Sequence, residues 1–69
     1  MIISYKGNTP INLANCNLFV KQYRTNSFIF YKGRITHFIT FYFNTYKVSW
    51  EFDSQQERDE YFDELLKKQ

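Results

Sequence analysis

The residues that could carry chemistry are few and scattered. His37 is the single histidine and Cys16 the single cysteine of the 69 residues. One imidazole would have to serve any Ser–His–Asp arrangement, and no motif flanking a serine supports one. Neither residue can anchor a metal site alone. Asp59, Glu60, Asp63 and Glu64 recur at i, i+4 spacing, which reads as the solvated surface of a helix before it reads as a general acid/base pair. Gly7 and Gly33 are isolated, so no glycine-rich loop cradles a phosphate. The sequence points away from an enzyme and implies no metal and no cofactor. His37 reads as a packed histidine at the edge of a core, and Cys16, in "ANCN", as a buried structural thiol.

What the chain does hold in quantity is aromatic rings and segregated charge. Fifteen residues are Phe, Tyr or Trp, an apolar supply that a domain this small needs in the absence of disulfides. Residues 1–50 contain six Lys and Arg and no acid, whereas residues 51–69 contain seven acids against three bases. The net charge of +2 hides this division. The opening "MIISYKGN" lacks the basic start and long apolar run of a signal peptide, and no apolar stretch approaches the roughly 20 residues that span a bilayer. No membrane association is expected, and a reducing cytoplasm is the expected compartment.

The elements that must position these residues follow from their periods. "DSQQERDEYFDELLKK" predicts a helix over 54–68. Ser54 and Glu57 have capping-box spacing, acids crowd the first turns and lysines the last, and Tyr61, Phe62, Leu65 and Leu66 form one apolar stripe. "KVSWEF" alternates strictly, as a half-buried strand does. With Asn44-Thr45 as a two-residue turn, Phe43 faces Tyr46, Phe41 faces Val48, Ile39 faces Trp50 and His37 faces Phe52, so every large apolar residue meets a partner on its own face. A second turn at Lys32-Gly33 would set Phe30 against Ile35 and Phe28 against His37. "NLFVKQYR" reads as a strand ending at the turn residues "TNS", and "IISYK" as a short strand closed by "GNTP". The expected fold is α+β: one domain over 1–69, an antiparallel β-meander of four to five strands (2–6, 17–24, 27–32, 34–43 and 46–52) with one C-terminal amphipathic helix packed on one face. The segment "KVSWEFDSQQERDEYFDELLKK" resembles the closing strand and helix of pleckstrin-homology-like domains over about a third of the chain. Those domains have more strands than this chain has room for, and no phosphoinositide site is carried over.

One helix is about 10 Å wide and four or five strands spread over roughly 20 Å, so the helix leaves the second face of the sheet uncovered. In the expected register that face carries Ile29, Tyr31, Phe38 and Tyr42, joined by Phe19 and Tyr23, with Lys21, Arg34 and Lys47 on or near it. Curling of the sheet, packing of two copies as a homo-oligomer, or a ligand would cover it. Rings that stack on bases beside cations that hold phosphates suit nucleic acid or a nucleotide. The reading is a non-catalytic binding module, a homo-oligomer that uses this face. The alternative is a protein-binding module, such as a small phage- or mobile-element-type inhibitor or adaptor of a partner protein.

Overall fold

The computed structural model describes the backbone of residues 1–28 and 31–68 and the side chains of residues 1–25 and 35–68. In chain order the elements are β1 (Ile2–Ile3), β2 (Ile11–Asn12), a 3-10 turn (Leu13–Asn15), β3 (Leu18–Phe28), β4 (Tyr31–Tyr42), β5 (Lys47–Phe52) and α1 (Gln55–Lys67). The fold is α+β with antiparallel pairing throughout, but the strands divide between two sheets: β3-β4-β5, and a separate β1-β2 pair.

β4 and β5 pair as their alternation predicts, with Ile39 opposite Trp50, Phe41 opposite Val48 and His37 opposite Phe52. The Phe43 amide donates to the Tyr46 carbonyl at 2.8 Å, and the two rings stack with centroids 4.6 Å apart. The β3–β4 hairpin differs from the expectation in two places. β4 contains Lys32-Gly33 and β3 contains Thr25-Asn26-Ser27, so the strand expected at 34–43 reaches back to Tyr31 and the strand expected at 17–24 runs on to Phe28. The separate strand expected at 27–32 falls in part on residues 29 and 30, outside the described residues. An unbroken ladder joins Leu18↔Tyr42 to Asn26↔Arg34, and the turn-prone "TNS" segment leaves only a register shift between Asn26 and Phe28. Local turn preference yields to the antiparallel ladder as far as Asn26↔Arg34; beyond it Ser27 alone faces Lys32 and Gly33 before Phe28 meets Tyr31, so the extra residue lies on β4. "IISYK" does not join the main sheet. Only Ile2 and Ile3 are strand, paired with Asn12 and Ile11.

The core lies between the three-stranded sheet and α1, with the N-terminal segment closing one side. Trp50, Phe41, Ile39 and Leu65 are fully buried, and Ile3, Ile11, Leu13, Phe19 and Phe52 complete it. Phe41 meets Trp50 edge-on at 4.9 Å, and Tyr5 bridges Phe52 and Tyr61 at 4.9 and 4.8 Å. The indole N–H of the buried Trp50 donates to the Thr9 carbonyl at 2.7 Å. Such pairing removes the cost of an orphaned buried donor.

α1 begins as expected, with Ser54 Oγ accepting from the Glu57 amide at 3.1 Å. The reciprocal half of the capping box is absent because the Glu57 carboxylate turns to Lys6 Nζ at 2.8 Å. Lys6 adopts φ 50° and also reaches Asp53 at 3.1 Å, tying the N-terminal turn to the helix start. The stripe expected from the sequence packs on the core at Tyr61, Phe62 and Leu65 but not at Leu66. Leu66 is exposed, while Arg58, at 7% exposure, faces the sheet. Its Nη1 donates to the Gln22 carbonyl at 2.9 Å, and Nε and Nη2 donate to Asp59 Oδ1 at 3.1 and 2.9 Å.

β5 pairs with β4 only from His37 to Tyr42. The β3–β4 hairpin therefore projects beyond β5 as a two-stranded arm, which helps to give the molecule its extents of 44 × 26 × 19 Å. No described helix is long and apolar enough to cross a membrane.

Candidate nucleic-acid interface

The register of β3 decides which side chains share a surface. Phe19 lies opposite Phe41, Lys21 opposite Ile39 and Tyr23 opposite His37, so all three sit on the helix side of the sheet. This corrects the expected second-face placement. Phe19 is a core residue whose ring meets Phe41 at 5.9 Å and Phe62 at 5.2 Å. Lys21 lies over the Phe62 ring at 5.1 Å and 3.7 Å from Asp59. Tyr23, 69% exposed, borders a cavity of ≈ 320 Å³ with Ile35, His37, Gln55 and Arg58. The misplacement has one cause: side chains alternate with period two, and the partner assumed for "NLFVKQYR" was the wrong strand.

The second face consists of Leu18, Val20, Gln22 and Arg24 from β3, Thr36, Phe38, Thr40 and Tyr42 from β4, and Lys47, Ser49 and Glu51 from β5. Phe38 and Tyr42 are half-buried, and Lys47 is exposed beside Tyr42. Tyr31 and Arg34 belong to β4, paired with Phe28 and Asn26, and their side chains lie outside the described residues, as does Ile29 altogether. The centre of the face is more polar than expected. Thr40, only 1% exposed, donates to Gln22 Oε1 at 2.6 Å, and its hydroxyl lies 3.1 Å from that of Ser49. A hydrogen-bonded row thus crosses all three strands and fixes the side chains between the two rings.

At the arm end of the face, Arg24 and Glu51 flank Phe38. The Arg24 guanidinium sits 5.8 Å from the Phe38 ring centroid. Glu51 lies directly opposite Phe38 in the ladder. Together with Asn8, Thr36 and Ser49 they line a cavity of ≈ 260 Å³. Neither Arg24 nor Glu51 has an ion-pair partner among the described residues. Asn8 holds the Glu51 backbone: Oδ1 accepts from its N–H at 3.1 Å, and Nδ2 donates to its C=O at 3.3 Å. Arg24, Glu51 and Asn8 were not singled out from the sequence. The signal for Arg24 and Glu51 was their parity with Phe38, legible only once the strands are paired correctly.

Two groups on the helix side have displaced protonation equilibria. The hydrogen bond from Arg58, with Lys21 adding its charge, holds the Asp59 carboxyl below its ordinary value. Burial, with Glu64 nearby, raises the Tyr61 hydroxyl above its own. Both serve the helix–sheet contact. His37 carries a buried Nδ1 with no partner, and Cys16 Sγ donates to the Leu18 carbonyl at 3.2 Å. Among the described residues no group of three His, Cys, Asp or Glu side chains could hold a metal ion. No protein-family model, curated protein or solved structure matches the chain.

Proposed function

We propose that this protein is a non-catalytic binding module for nucleic acid or a nucleotide, working through the second face of its sheet and the adjoining arm. The observation that carries the reading is the joint placement of Arg24, Phe38, Tyr42 and Lys47 on that face, with most of the acids on α1 on the other side. The arm adds Lys32 and Arg34 in sequence, with no acid between Arg24 and Thr36. Flat rings offer stacking platforms of about 1–3 kcal/mol per base, and cations beside them hold phosphates. The correction at Phe19, Lys21 and Tyr23 narrows the face to fewer aromatic residues, with a polar row between Phe38 and Tyr42. A homo-oligomer is compatible with it, since an unsupported two-stranded arm is marginal in water.

The test is fluorescence anisotropy of labelled single-stranded oligonucleotides across a salt series. A nucleic-acid binder loses affinity steeply with salt, by a slope of about 0.7 per phosphate contact on single strands. A second reading, a protein-binding module such as a small inhibitor or adaptor, is favoured by β3, an eleven-residue edge strand with no neighbour on its outer side among the described residues. An extended peptide can add to such an edge. That mode would leave oligonucleotides unbound.

A further inference from the structure

The cavity beside Phe38 sets two exposed, opposite charges apart without an ion pair. On a face that is otherwise neutral or basic, one carboxylate, Glu51, stands across a phenyl ring from one guanidinium, Arg24, and neither is paired with the other or with any described residue. We infer that this cavity is a base-selective slot for guanine, an inference that rests on the nucleic-acid reading above.

The chemistry of the walls leads there. A carboxylate only accepts hydrogen bonds, and its two oxygens can take a bidentate pair of donors. Among the unmodified bases only guanine presents two adjacent donors on its Watson–Crick edge, N1–H and N2–H. Adenine sets an acceptor, N1, beside its amino group, and cytosine sets N3 beside its own, so a carboxylate meets repulsion at one of its oxygens. Thymine and uracil place a single donor between two carbonyls. Phe38 offers the ring on which such a base stacks, and Arg24, exposed and resting over that ring, can swing outward to cover the base or meet the flanking phosphate. The size agrees: ≈ 260 Å³ lies below the roughly 300–1,000 Å³ of sites that enclose a whole small ligand, which fits one planar base with its sugar and phosphate outside.

The slot is also held in place. Glu51 is on an edge strand, where the backbone would otherwise be free, and one hydrogen bond donated by Asn8 and one accepted by it pin its backbone. Asn8 is a positioning residue in this arrangement. Thr40, buried between Gln22 and Ser49, fixes the floor beside Phe38. Recognition groups held by a second layer of hydrogen bonds lose little freedom on binding.

The experiment compares short labelled oligothymidylates carrying one central guanine, inosine, adenine or cytosine, by anisotropy at fixed salt. Guanine should bind about tenfold tighter than adenine or cytosine, with inosine, which lacks the N2 amino group, in between. Glu51→Gln, whose carboxamide offers one acceptor where the carboxylate offers two, should level the four affinities. Glu51 is exposed and its ties to Asn8 are backbone ones, so the variant keeps the fold, which its melting curve checks. Equal affinities in the wild type overturn the guanine slot and leave the nucleic-acid reading standing. A guanine preference that survives Glu51→Gln also overturns it. Failure of every oligonucleotide and of free guanosine monophosphate to bind overturns both.

Discussion

The Asn8 carboxamide stands in for a missing strand at Glu51, accepting from its N–H at 3.1 Å and donating to its C=O at 3.3 Å. β5 is the edge of the main sheet on that side, and free edge groups invite pairing with other chains. One side chain blunts that edge where the candidate site needs a rigid wall.

Asn8→Ala should cost about 1–2 kcal/mol in urea unfolding, the scale of two modest hydrogen bonds. The Glu51 amide should then exchange with solvent faster than its neighbours, as hydrogen exchange followed by NMR will report. Unchanged protection at Glu51 would show that the carboxamide does not hold the edge.

Phe41→Ala and Trp50→Ala remove fully buried rings that meet at 4.9 Å. Each should cost about 3–5 kcal/mol or prevent folding. Phe38→Ala, on the half-buried second face, should cost clearly less. Thermal melts of the three variants check the assignment of the two faces.

Arg58 ties α1 to the Gln22 carbonyl and holds the Asp59 carboxyl below its ordinary value. In Arg58→Met the Asp59 titration, followed by NMR, should move upward toward the ordinary carboxylate range. A carboxyl depressed in the folded state contributes stability that is present above its unfolded value and is lost as pH falls through the folded one. The wild type should therefore lose this contribution on acidification below about pH 4, and the variant should show a flatter acid limb.

Lys21 and Lys47 separate the two sides of the sheet. Lys47→Ala should lower the slope of log affinity against log salt by roughly one phosphate contact. Lys21→Ala should leave that slope unchanged, since its ammonium lies against Phe62 and Asp59 on the helix side. A loss of slope with Lys21→Ala would place the ligand on the helix side and sink the proposed interface.

The β4–β5 hairpin, the capped helix and most of the core were legible in the sequence. Alternation in "KVSWEF" and "ITHFITFYF" with a two-residue connection permits one register, and a one-residue slip would turn Trp50 and Ile39 out of the core. Ser54 and Glu57 mark the helix start by chemistry confined to four residues. Tertiary structure decided the rest. "TNS" and Lys32-Gly33 carry turn signals, but each is weak against the ladder running from Leu18↔Tyr42 to Asn26↔Arg34, in which every retained backbone bond adds about 0.5–1.5 kcal/mol. Continuity of that ladder set the parity of β3, and with it the side taken by Phe19, Lys21 and Tyr23 and the meeting of Arg24 with Phe38 and Glu51. The burial of Arg58 and the plug at Asn8 join residues 36 and 43 positions apart in the chain. No local pattern encodes such a meeting, because it forms only when helix and N-terminal turn close over a sheet already built.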